Sequence, residues 1–130
     1  MAVHNEIGIW GEKMAADMLT AEGYTILHLN WRPEQGRQEV DIIAQTEELI
    51  VFVEVKTRTS CAFGDPEEYV SPAKIKNLSS AAKAFFMQSD RYGSFTIRFD
   101  VVAVVLGPCQ HKLVSYRHMT NAFQSEPFFY

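Results

Sequence analysis

The run Leu49-Ile-Val-Phe-Val-Glu-Val-Lys56 reads as a largely buried strand, yet it carries a carboxylate and an ammonium among its apolar members. With the two-residue period of a strand, Ile50, Phe52, Glu54 and Lys56 share one face and Val51, Val53 and Val55 the other. Charge at such positions is costly unless it is paired, so Glu54 and Lys56 require a reason. The preceding segment Gln38-Glu-Val-Asp-Ile-Ile-Ala44 is a second strand candidate, and Gln45-Thr-Glu-Glu48 reads as the turn between them. Twelve residues separate Asp41 from Glu54. An antiparallel hairpin with a two- or four-residue loop therefore puts Asp41 on the face of Glu54, opposite it or one diagonal away.

Two readings of this cluster compete. One is a structural Glu54–Lys56 pair at a strand end, open to water. The other is a cation site, because hard divalent ions take several carboxylate oxygens and a neighbouring lysine can orient a water or hold a phosphate. Like charges facing each other across a ladder destabilise it, so Glu39, Asp41 and Glu54 gathered together favour a cation.

The remaining chain sets the frame. Its 130 residues suggest one domain spanning 1–130, and 47% hydrophobic residues suffice for a sizeable core. No segment has the apolar length of a membrane helix, and Met1-Ala-Val-His-Asn-Glu6 lacks the regions of a signal peptide, so a cytoplasmic protein without a membrane partner is expected. Cys61 and Cys109 have no metal-like spacing and imply no thiol chemistry. The formal net charge of −4 is unevenly spread. Residues 1–55 hold ten acids against Lys13, Arg32 and Arg37, whereas residues 56–100 hold seven basic groups against five acids. A bound cation would also neutralise part of the acidic count, so the total does not exclude a nucleic-acid partner.

Periodicity gives the order of elements. Glu6–Glu22 has a helical apolar stripe with Gly23 as its stop, and Thr25–Trp31 reads as a strand. After the hairpin, Arg58–Val70 is a loop containing Phe63-Gly-Asp-Pro-Glu-Glu68. Ser71 and Pro72 then open a helix buried through Ile75, Leu78, Ala82, Phe85 and Phe86. Phe95–Leu106 and the shorter Leu113–Tyr116 are strands, with a brief helix and the aromatic tail Pro127-Phe-Phe-Tyr130 expected over 117–130. The order αβββαββ implies an α/β sandwich with a mixed central sheet flanked by helices. Glu12 lies on the stripe Gly8, Glu12, Ala15, Leu19, so its carboxylate is expected to point to the packed side and join Asp41, Glu54 and Lys56.

These residues also match a known pattern. Gly8-x-x-Gly11-Glu12-x-x-Ala15, Gly23-Tyr24, Asn30-Trp31-Arg32, Glu39-Val40-Asp41-Ile42-Ile43-Ala44, Val51-Phe52-Val53-Glu54-Val55-Lys56-Thr57-Arg58, Phe63-Gly64, Lys74 and Arg98-Phe99-Asp100-Val101-Val102 closely resemble the YraN-like family of bacterial proteins. That family is similar to the Holliday-junction resolvases of the PD-(D/E)XK nuclease superfamily, and the resemblance covers about residues 8–116. In one departure, Gln38 stands where the family usually has glycine, with Gly36 two residues earlier.

The resemblance implies a restriction-endonuclease-like sandwich and a metal-dependent endonuclease acting on nucleic acid, DNA before RNA, with a branched substrate in view. By correspondence, Asp41, Glu54 and the Val55 carbonyl would hold Mg²⁺ or Mn²⁺, Glu12 would add to that set, and Lys56 would stand near the attacking water. Arg58, Lys74 and Lys76 are the candidates for backbone phosphate contacts; solvated helix face is the plainer reading of Lys76. Asp100 reads as a buried or paired core acid. Resolvase-like proteins often work as twofold homodimers, which would place two sites on one substrate. The competing class is a non-catalytic nucleic-acid-binding or protein-interaction module that retains the fold. Metal binding discriminates between the two, because such a module needs no converging carboxylates.

Overall fold

Five strands, β1 (Thr25–Trp31), β2 (Val40–Thr46), β3 (Leu49–Thr59), β4 (Thr96–Leu106) and β5 (Leu113–Phe123), form one sheet in their chain order in a computed structural model of the protein. The structure describes residues 2–34, 36, 38–59, 70–107 and 112–124. Helix α1 (Ala2–Ala21) precedes β1, and helix α2 (Pro72–Met87) lies between β3 and β4. The β3–β4 pair is parallel and every other pair antiparallel, so the sheet is mixed, and α2 belongs to its one crossover. The architecture is the α/β sandwich that the order of elements implied.

Alternation along the central strands fills both faces. Val51 and Val53 pack with Ile42, Ala44, Val102 and Val104 against Ala15, Ala16 and Leu19 of α1. Ile50 and Phe52 pack with Ile43 and Phe99 against Leu78, Ala81, Ala82 and Phe85 of α2. Phe52 meets Phe85 edge-on at 5.8 Å between ring centroids and stacks on Phe99 at 5.6 Å. Fully burying side chains of this size stabilises the fold by about 1.5–3 kcal/mol each.

Local chemistry fixes the element ends. The Ser71 hydroxyl accepts a hydrogen bond from the Lys74 N–H at 3.1 Å and Pro72 opens α2. Gly23 adopts φ +103° beyond α1, and the Tyr24 N–H returns to the Leu19 carbonyl at 3.0 Å. The hairpin closes in two residues, since Thr46 pairs with Leu49, and Glu47 takes φ +51° as a tight hairpin turn demands.

The carboxy-terminal half of the last strand departs from expectation. Residues 117–123 continue β5 and form no helix; Arg117, Met119 and Phe123 pair with Ala103, Val101 and Phe99. The strand lies at the edge of the sheet and is mostly exposed or half-buried, so Tyr116-Arg-His-Met-Thr-Asn121 lacks the alternation that reveals a half-buried strand. Its ladder is irregular between Phe99 and Val101, where Asn121 has φ +53°. Helix α1 starts at Ala2, ahead of the apolar stripe, and β2 is shifted two residues towards the turn. The segment Phe63–Glu68, Cys61, Cys109 and the tail Pro127–Tyr130 lie outside the described residues.

Gly11 sets how closely α1 approaches β3. A Cβ there would collide with the Thr57 side chain. Gly11→Ala is therefore expected to destabilise the protein by about 1–3 kcal/mol, as overpacking does, although alanine favours a helix. Urea denaturation of both proteins measures this, and an unchanged or higher midpoint refutes the contact.

Candidate functional site

The β2–β3 ladder runs from Thr46/Leu49 to Ile42/Val53 and stops there. Just past its end, the Val55 N–H donates to Oδ2 of Asp41 at 2.8 Å, a side chain serving where a ladder carbonyl would otherwise accept. The N–H and carbonyl of one strand residue point to the same edge, so the Val55 carbonyl also opens towards this gap. By alternation, Asp41 follows Ile43 and Glu54 follows Phe52 onto the α2 side, as the sequence required. Yet Asp41 reaches further. Because its carboxylate turns into the parting of the strands, it interacts with Glu12, which arrives from α1 on the opposite side of the sheet.

Glu54 is 7% exposed. The Lys74 ammonium lies 3.5 Å from Oε1 and the Lys56 ammonium 3.9 Å from Oε2. Oε1 is buried and makes no hydrogen bond of good geometry. Lys74 thus stands at the acidic cluster as well as near the start of α2, an arrangement that its sequence position did not reveal. Lys56 is half-buried, as is Arg58, whose Nη1 donates to the Thr59 carbonyl at 2.9 Å; Lys76 is exposed on α2.

The electrostatics are those of crowded acids. Burial, reinforced by Asp41, pushes Glu12 up to about 7, and a hydrogen bond with Asn30 only partly opposes this. Burial and then Asp41 push Glu54 up to about 7 against the pull of Lys74 and Lys56. Asp41 is raised by burial too, with the Val55 N–H and Lys74 working the other way. Lys74 and Lys56 are the cations that stand against Glu54. Among the described residues, no three Asp, Glu, His or Cys side chains stand together as a preformed metal shell.

A hard cation nevertheless fits what is present. The donors are all oxygens, one buried carboxylate oxygen has a lysine 3.5 Å away but no hydrogen bond, and the acids are raised first by burial and then by one another, a penalty that a cation would relieve. Glu39 lies at the margin and pairs with Arg32 at 3.2 Å. Asn30 is a member that residue patterns did not single out. Its φ of +52° inside β1 and its place in Asn30-Trp31-Arg32 were the available signals.

The Arg98–Asp100 pair belongs to a separate network on β4 and β5. Asp100 is fully buried and accepts from Arg98 Nε and Nη2 at 2.8 and 2.7 Å and from the Asn121 N–H at 2.9 Å, with His118 Nε2 at 2.7 Å. It is the paired core acid expected from the sequence.

Comparison with known proteins gives consistent relatives. Residues 11–104 match the model of the family described as "Uncharacterised protein family UPF0102". A UPF0102 protein of Flavobacterium psychrophilum is 41% identical over 123 residues, covering 95% of this chain and 98% of the relative. One from Syntrophomonas wolfei is 41% identical over 121 residues, covering 93% and 100%. A third, from Treponema pallidum, is 38% identical over 125 residues, covering 95% and 98%.

Proposed function

The chain belongs to the UPF0102 family, the YraN family, and for this member we propose a metal-dependent endonuclease that hydrolyses phosphodiester bonds of nucleic acid on a PD-(D/E)XK-type scaffold. The observation that carries the reading is the end of the β2–β3 ladder, where Asp41 interacts with Glu12 of α1 and with Glu54 of β3, and Glu54 with Lys56 and Lys74. A structural ion pair needs one acid for one base. Here carboxylates are buried beside one another, and burial followed by mutual repulsion raises Glu12 and Glu54, an arrangement with no benefit to stability.

Asp41, Glu54, the Val55 carbonyl and Glu12 would hold Mg²⁺ or Mn²⁺, which when bound supplies an activated water and neutralises charge developing on the phosphate. Asp41 is held in place by the Val55 N–H, so its carboxylate has little freedom to lose on binding a cation. Lys56, two residues along the same face from Glu54, would orient the water or stabilise the departing charge. Lys74, at 3.5 Å from Glu54, would neutralise that carboxylate in the resting site and offer its ammonium to the substrate phosphate. Arg58, and more peripherally Lys76, would contact the strand backbone. DNA is the substrate we favour, branched forms included, with a homodimer as the working assembly. Among the described residues, no helix is long and apolar enough to cross a membrane.

The test is to incubate the purified protein with Mg²⁺ or Mn²⁺ and labelled junctions, flaps, duplexes and single strands of DNA and RNA. Metal-dependent cleavage of at least one of them is expected; none under any ion sinks the reading. In a separate check, Glu12→Gln should keep the fold while weakening Mn²⁺ binding about 10–100-fold by calorimetry, the range seen when a supporting carboxylate is lost. Unchanged affinity would remove Glu12 from the site.

A further inference from the structure

Two glycines lie one turn apart on α1, and among the described residues only Gly11 meets a neighbour that requires glycine. A Cβ at Gly8 would meet no described atom within 4 Å. Glycine inside a helix is destabilising relative to alanine, so at Gly8 the fold gives up helix stability with no return in packing against the described residues. What Gly8 borders instead is a cavity of about 440 Å³, walled also by Glu12, Val55, Thr57, Arg58 and Thr59. Val55 donates its N–H to Asp41, and Glu12 interacts with the same carboxylate. The cavity therefore borders the acidic cluster through these two residues.

We propose that this cavity seats one unpaired nucleotide of the strand whose phosphodiester lies at the Asp41–Glu54 cluster. The inference rests on the nuclease reading above and names its substrate class. Thr57, Arg58 and Thr59 of β3 also line the cavity, and hydroxyls and a guanidinium are the donor types that phosphate and sugar oxygens take. Its volume lies in the range of about 300–1,000 Å³ that holds a small ligand, whereas a duplex presents grooves about 12 Å and 6 Å wide and cannot enter whole. The bare backbone at Gly8 lets a sugar or base come within van der Waals contact of the helix. Selection of a strand end, flap or extruded nucleotide over a closed duplex follows, because pairing would have to be broken to fill the cavity.

The test is binding in EDTA, so that nothing is cleaved, of a fluorescein-labelled single-stranded oligodeoxynucleotide and of the blunt duplex of the same sequence, with RNA counterparts alongside. Gly8→Leu should weaken single-strand binding roughly tenfold, on the scale of losing one base contact, and leave duplex binding unchanged. Gly8→Ala should raise Tm by about 2–5 °C while weakening single-strand binding to a lesser degree. The inference is overturned if Gly8→Leu binds single strands like the wild type, if it loses both ligands equally, or if the wild type binds no single strand. A wild type that binds single strands but cleaves nothing ends the nuclease reading and leaves the cavity as a binding site. Cleavage that is indifferent to Gly8 ends the cavity assignment alone.

Discussion

Asp41→Asn should reduce metal-dependent cleavage by roughly three orders of magnitude or more, because removing a ligand acid removes the cation together with its activated water and charge stabilisation. The substitution is a clean one. Asparagine keeps an oxygen for the Val55 N–H, so the junction between β2 and β3 persists while the charge is gone. Glu54→Gln should behave alike. Lys56→Ala should lose about 10²–10³ in rate, as expected for one charge-stabilising group, with Mn²⁺ affinity retained. Single-turnover cleavage measured beside circular dichroism and Mn²⁺ titration separates these effects. Equal residual activity in wild type and Asp41→Asn would identify a contaminating nuclease and favour a binding module that keeps the fold without the chemistry.

Asp100→Ala should cost about 3–5 kcal/mol of stability, the penalty for leaving buried charges without their partner. It would strip acceptors from Arg98, His118 and the Asn121 N–H in a region where Asp100 has no exposure. The same network gives stability a pH dependence. Burial pushes Asp100 up, but hydrogen bonds from His118, Arg98 and Asn121 together hold it below its ordinary value. His118 is raised, first by its hydrogen bond to Asp100 and then, against burial, by Glu22, whose Oε1 lies 2.8 Å from Nδ1. A raised histidine contributes stability that is complete below its unfolded value near 6.5 and is lost as pH climbs through its folded value. The depressed Asp100 contributes stability present above its model value of 3.8 and lost as pH falls through its folded value. Urea unfolding across pH should therefore show this network strongest between those limits and weakening as pH rises beyond 6.5 through the raised value of His118, and His118→Gln should flatten that decline. An alkaline limb unaffected by His118→Gln would show that the imidazole carries no charge in the folded protein.

Sequence periodicity determined the frame of this protein. Two-residue alternation in Leu49–Lys56 set which side chains of β3 meet α1 and which meet α2, and hairpin parity put Asp41 and Glu54 on one side, because an odd slip would have buried the wrong face of each strand. Ser71, Pro72 and Gly23 marked helix ends through local backbone chemistry that needs no distant partner. The acids were legible for the opposite reason: a charge inside an apolar run violates the pattern, and violations mark sites.

Only the tertiary structure decided the rest. The edge strand β5 depends on pairing with β4 along its length, and an edge strand with no fully buried member leaves no clear alternation to read. The reach of Glu12 through the opened ladder to Asp41, the placing of Lys74 beside Glu54, and the empty flank of Gly8 are contacts between residues 29, 20 and 47 or more positions apart in the chain. Local propensity carries no record of such distances, since they arise where the two faces of a sheet meet at the end of a strand pair.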